Sequence, residues 1–209
     1  MSLSVAHAQP PATGRREERK AQNREKLLAA ARHVFGAKGL GEATARDIVR
    51  ETDLATGTFY NYFDSKEDVF RALVRELSEK ARAGVRAQRS VPGRTLEQRI
   101  LGAYRAYFEL VVEDAELFAV FRRNAGAIAM MPDDGLFESG IAELFADLVD
   151  WESEGSIPRL DFDYLATAMV GTGFQVATHL VDRDPPDVDA AARFCTRLFM
   201  GGIPALQEG

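Results

Sequence analysis

Apolar positions along the chain recur at the three- and four-residue spacing of amphipathic helices almost throughout, and nowhere with the two-residue alternation of strands. Leu27, Leu28, Ala31, Val34 and Phe35 mark one face of a helix from residue 17 to residue 37, and Gly39 is placed to end it in a left-handed cap. Thr44 then opens a short helix with Ile48 and Val49 inward, and Asp47 stands three residues on as its capping-box partner. After a break at Asp53-Leu54, a second short helix runs from Thr56 to Phe63, and Asp64 or Ser65 caps a longer one through Phe70, Leu73, Val74 and Leu77. Two short helices joined by a tight turn and braced by longer ones make a helix-turn-helix layout. Beyond the Pro92-Gly93 break come further helices: one from Ile100 to Val112, one from Leu117 to Ala127, one from Leu136 to Trp151, and two last ones over 161–180 and 187–206. The expectation is an all-α chain with a tail over 1–16, an N-terminal three-helix helix-turn-helix domain over 17–66 and a second helical domain over 67–209.

Charge changes how those two domains are regarded. The formal net charge is −6 over 209 residues, which by itself argues against a phosphate-rich partner. Yet residues 1–89 hold 17 Lys and Arg against 12 Asp and Glu, and residues 90–209 hold 9 against 20, so a basic module at +5 is joined to an acidic one at −11. Charge blocks of this kind are also produced by solvated surface alone. The single cysteine, Cys195, excludes an intramolecular disulfide framework and any multi-cysteine metal site, which fits a reducing cytoplasm. No secretory signal is legible at the N-terminus, and no window approaches the roughly 18 apolar residues of a membrane span. Neither a metal site nor a cofactor is expected. The three histidines (His7, His33, His179) stand apart, and no phosphate loop or nucleophile motif is present, so no catalytic residue is assigned.

The short helices carry the chemistry. Thr56, Gly57, Thr58, Tyr60, Asn61 and Tyr62 offer small residues for close approach and hydroxyl or amide groups for hydrogen bonds, whereas Phe59 and Phe63 are one turn apart and suit the buried side. Residues 22–70 contain Ala30-Ala31 ahead of Phe35-Gly36, then Thr44 and Ile48, then Gly57-Thr58-Phe59-Tyr60-Asn61-Tyr62-Phe63 followed by Lys66-Glu67. In these elements and their spacing the chain closely resembles the DNA-binding domain of TetR-family transcriptional regulators. One departure is Asp53, where the family's turn usually has Gly; a left-handed backbone there would cost some stability, and Asp tolerates it better than most residues.

The resemblance implies roles residue by residue. Thr44 would hold a phosphate as well as cap its helix, and Arg46 would reach a guanine edge, with a cap alone and a solvated arginine as the simpler readings. Thr56, Gly57 and Asn61 would read base edges, while Thr58, Tyr60, Tyr62 and Lys66 would hold phosphates. Arg15, Arg16, Arg19 and Lys20 would extend the footprint into a minor groove or form a frayed basic tail. Double-stranded operator DNA is the implied partner, bound by a homodimer paired through the last two helices, with seams at Met169 to Gly173 and Val176 and at Phe194, Leu198 and Phe199.

A small, largely apolar effector is the second implied partner. Tyr104, Phe108, Phe121, Phe137, Phe145, Trp151 and Phe174 would wall its cavity, together with Met130 and Met131. Arg122 or Asn124 would fix a polar group on it unless the arginine is spent on a surface ion pair. Helix 4, from Lys66 to Arg89, would be the lever between the domains. Repression is the family default. The competing readings are a nonspecific architectural DNA-binding protein and an enzyme built on the helical domain.

Overall fold

The computed structural model describes residues 12–129 and 136–207, and among them every regular element is helical. The chain divides into two compact units between Ala72 and Leu73, somewhat later than the Lys66 boundary expected from sequence.

The first unit holds α1 (Ala12–Glu42), α2 (Ala45–Arg50), α3 (Thr56–Phe59) and the opening turns of α4 (Lys66–Arg89). Helix α1 starts at Ala12, so residues 12–16, expected in a tail, are helical; residues 1–11 lie outside the described ones. The helix breaks at Gly39, whose φ of 76° and ψ of 166° suit a residue without Cβ, and one more turn follows. Helix α2 has the full capping box. The Thr44 hydroxyl accepts from the Asp47 amide at 3.1 Å, and the Asp47 carboxylate accepts from the Thr44 amide at 3.0 Å. In the turn, the Thr52 hydroxyl donates to the Val49 carbonyl and accepts from the Leu54 amide.

Asp53 corrects an expectation. No described residue other than glycine has a positive φ, so the turn closes without left-handed strain, and the Asp53 carboxylate reaches back 2.9 Å to the Lys26 ammonium. Ser65 rather than Asp64 caps α4, accepting from the Asp68 amide at 3.1 Å. The core of this unit joins Leu27, Val34 and Phe35 of α1 to Ile48 of α2, Phe59 of α3 and Phe70 of α4, with Phe35 edge-on to Phe70 at 5.4 Å.

The second unit holds the rest of α4 with α5 (Leu96–Glu113), α6 (Ala115–Arg123), α7 (Ala125–Ala129), α8 (Leu136–Ser153), α9 (Phe162–Leu180), α10 (Val188–Gly202) and a 3-10 turn over Pro204–Gln207. Side chains cap α5, α6, α9 and α10 at Thr95, Asp114, Asp161 and Asp187. The helix expected over Leu117 to Ala127 is two. Its break falls at Asn124, which is buried and turns its side-chain amide back onto the Val120 carbonyl at 2.7 Å, competing with the helix for that acceptor. At the centre, Tyr104 lies between Phe108 at 5.8 Å and Phe199 at 6.3 Å, and its hydroxyl donates to the Met169 carbonyl at 2.9 Å. Gly173 lets that ring approach, since a Cβ there would stand 3.2 Å from Tyr104 Cε1.

Candidate nucleic-acid interface and ligand cavity

Helix α3 is one turn long, shorter than the helix expected from Thr56 to Phe63, and with the turn that continues it over residues 60–63 it has two sharply different sides. Phe59 and Phe63 are 0% and 4% exposed, whereas Thr56, Gly57 and Asn61 are exposed and Tyr60 is 60% exposed. A large aromatic left outward beside three small or polar residues is the composition of a contact surface rather than of a packed helix. Thr58 and Tyr62 are half-buried, and the Tyr62 hydroxyl accepts from the Asn23 side-chain amide of α1 at 3.2 Å. That bond ties the end of the α3 turn to α1 and leaves the phenol proton available for an outside acceptor.

The cations of this unit fall into two groups. Lys26 is paired with Asp53, and Lys38 stands 2.9 Å from Asp47. The Lys38 ammonium, together with the Thr44 hydroxyl, holds the Asp47 carboxyl down to about 2. Lys66, expected at a phosphate, directs its ammonium at the carbonyls of Leu40, Gly41 and Ala43 at 2.8, 3.0 and 2.9 Å, matching its three N–H donors to the carbonyls at the end of α1. Thr44, likewise, spends its hydroxyl inside the capping box, donating to Asp47 Oδ2 at 2.7 Å. In contrast, Arg46 is exposed and makes no ion pair among the described residues, and Arg15, Arg16, Arg19 and Lys20 are exposed on the first turns of α1.

A cavity of about 180 Å³ lies in the second unit, walled by α4, α5, α6, α8 and α9. Of the residues expected around an effector, Tyr104, Phe121, Trp151 and Phe174 line it. The others do not meet there. Phe108 lies behind Tyr104, and Phe145 packs edge-on against Phe162 at 6.1 Å. Arg122 turns outward to the Asp182 carboxylate at 2.8 Å and the Thr178 carbonyl at 3.2 Å, the surface ion pair that was its simpler reading, and Asn124 is spent on Val120. The Phe137 side chain, Met130 and Met131 lie outside the described residues.

The sequence reading missed the α4 wall, where Leu77, Ser78, Ala81, Arg82, Val85 and Arg89 share one helical face, along with Tyr107 and Glu143. Their three- and four-residue spacing along α4 is the signal that marks this wall in the sequence. The Arg89 side chain is 6% exposed, with Nε 2.8 Å from Asp147 Oδ2 though off the line of a hydrogen bond. Burial pushes the Asp147 carboxyl up, and the adjacent guanidinium opposes the shift.

The expected dimer seams are divided between inside and outside. Met169 and Gly173 of α9 and Phe199 of α10 belong to the internal core. The outward faces are Tyr164, Ala168 and Gly171 on α9 and Phe194, Arg197, Leu198 and Gly201 on α10, each set at helical spacing, with Phe194 60% and Leu198 50% exposed. Among the described residues no cluster of His, Cys, Asp or Glu is arranged to hold a metal ion, and no helix is long and apolar enough to cross a membrane. Cys195 is buried, and burial pushes its thiol up to about 11, so it behaves as a small apolar side chain.

Residues 27–73 match the family described as bacterial regulatory proteins, tetR family. The chain is 33% identical over 191 residues to the HTH-type transcriptional regulator UidR of Escherichia coli (strain K12), covering 86% of this chain and 92% of that protein. It is 26% identical over 194 residues to the uncharacterised HTH-type transcriptional regulator YdgC of Bacillus subtilis (strain 168), covering 88% and 94%. Among solved structures it is similar to the fatty acid degradation regulator FadR from Bacillus halodurans, with a TM-score of 0.75 at 23% identity over 86% of this chain and 95% of that one.

Proposed function

Because the chain belongs to the TetR family of bacterial regulatory proteins and is therefore a DNA-binding transcriptional regulator, we propose that it represses its target as an effector-released homodimer. The observation that carries this reading is the division of α3 and the turn after it, with Phe59 and Phe63 sealed into the core while Thr56, Gly57, Tyr60 and Asn61 stand outward. A one-turn helix reads few base pairs, so useful specificity needs two copies, set one turn of DNA apart at about 34 Å on a pseudo-palindromic operator. The outward faces of α9 and α10 support the pairing, since Phe194 and Leu198 are large apolar groups that a monomer would leave in water. Arg46 and the exposed basic start of α1 are the groups available for phosphate or base contact, whereas Lys66 acts inside the fold.

The cavity supports an effector. Helix α4 supplies one of its walls and also contributes its first turns to the DNA-binding unit. A ligand that favours one disposition of α4 lowers operator affinity by its differential affinity for the two states and by no more. Footprinting of the intact chain on genomic fragments tests the reading. A discrete, two-fold protected site is expected, and uniform protection along every fragment would leave a nonspecific architectural protein instead.

A further inference from the structure

The cavity of the second unit is lined chiefly by aromatic and aliphatic side chains, but three of its polar groups are hydrogen-bond donors that the fold leaves unused. Ser78 and Arg82 stand one turn apart on α4, and Tyr107 faces the same space from α5. Arg82 makes no ion pair among the described residues, and its Nε is shut off from solvent without a hydrogen-bond partner. Neither the Ser78 nor the Tyr107 hydroxyl is hydrogen-bonded among the described residues. Burial raises the Tyr107 phenol above its ordinary range, so it keeps its proton and donates.

The other charges at the lining are balanced. Arg89 lies 2.8 Å from Asp147, and Glu143 lies 2.7 Å from Arg86. Arg82 is thus the uncompensated charge of the lining among the described residues, and a half-buried guanidinium whose Nε is shut off from solvent, sharing the cavity with two neutral donors, is stabilised by an acceptor that is itself negative.

We infer that the cavity takes a small organic anion, an apolar body carrying one carboxylate that Arg82, Tyr107 and Ser78 receive. At about 180 Å³ the space is of the order that accommodates a single aromatic ring or a short alkyl chain. This specifies the effector class and rests on the reading of the second unit as the sensing domain.

Trp151 is the one tryptophan of the sequence and lines the cavity, so its fluorescence reports occupancy without reference to DNA. The experiment titrates the full chain with 4-ethylbenzoate and, separately, with 4-ethylbenzyl alcohol, which differ in charge at nearly constant shape. The expected result is saturable quenching by the benzoate at an affinity at least about tenfold tighter than for the alcohol, in line with a charge-assisted contact. Arg82→Gln is expected to bring the two within about threefold of each other while leaving the alcohol unchanged, and Arg82→Lys to keep part of the preference. Equal affinities, tighter binding of the alcohol, binding of neither, or a preference that survives Arg82→Gln would overturn the inference. Operator binding is followed in parallel. Benzoate binding that never changes DNA affinity upholds the anion site and contradicts the effector-released repressor.

Discussion

Lys26, Lys38 and Lys66 in the first unit and Arg82 in the second are all helical cations, yet they end in opposite circumstances. The three lysines are consumed by the fold: one by Asp53, one by Asp47 and one by the carbonyls at the end of α1. Arg82 sits among apolar walls with its Nε unmatched. The difference teaches that charge counted along a sequence is not charge available to a partner. The 17 cations of residues 1–89 overstate what reaches DNA, because several of them organise short helices that lack the apolar area to fix themselves. In the second unit, rich in buried aromatics, the informative groups are the few donors left over.

The largest expected effect comes from the side of α3 that faces inward. Phe59→Ala should cost the first unit about 3–5 kcal/mol, because a fully buried ring is replaced by a cavity, and urea denaturation should show it. Next, Phe194→Glu places a charge on the exposed α10 face. Folding stability should stay within about 0.5 kcal/mol, while sedimentation shows the dimer lost and operator affinity falls roughly a hundredfold or more through lost bivalency. A variant that stays dimeric would move the interface elsewhere.

Lys66→Met decides what that ammonium does. Loss of its bonds to three carbonyls should destabilise the first unit by roughly 1–3 kcal/mol, with the salt dependence of DNA binding unchanged. A slope reduced by about one unit at unchanged stability would return Lys66 to a phosphate. The smallest effect belongs to Asp47. Its carboxyl is held down to about 2 in the folded chain, so the Lys38 contact stabilises fully above the unfolded value near 4 and fades as pH falls from about 4 towards 2. Melting curves across that window should show a small acid-dependent loss that Asp47→Asn abolishes.

What the sequence made legible was local. The Thr44–Asp47 box, the break at Gly39 and the two faces of α3 depend on residues within a turn of one another, where spacing alone decides the outcome. Lys66 could not be placed that way, because its partners lie 23 to 26 residues upstream and are backbone atoms with no sequence signature. Nor could α9 be sorted into inside and outside. Gly171 and Gly173 look alike in sequence, and only the ring of Tyr104 against Gly173 makes one of them internal. The cavity shows the same limit, since Phe145 and Phe174 have equal apolar character and differ only in which helix each one faces.

The central claim is that the outward side of α3 and the turn after it reads sequence, and one binding measurement addresses it most directly. Fluorescence anisotropy at fixed salt would compare the footprinted operator with a scrambled duplex for the wild type and for Asn61→Ala. The wild type should prefer the operator by a factor on the order of a thousand or more. Asn61→Ala should lose about 1–3 kcal/mol on the operator alone and bind the scrambled duplex as before. An equal loss on both duplexes, or none on either, would contradict the assignment of α3 as the element that reads DNA.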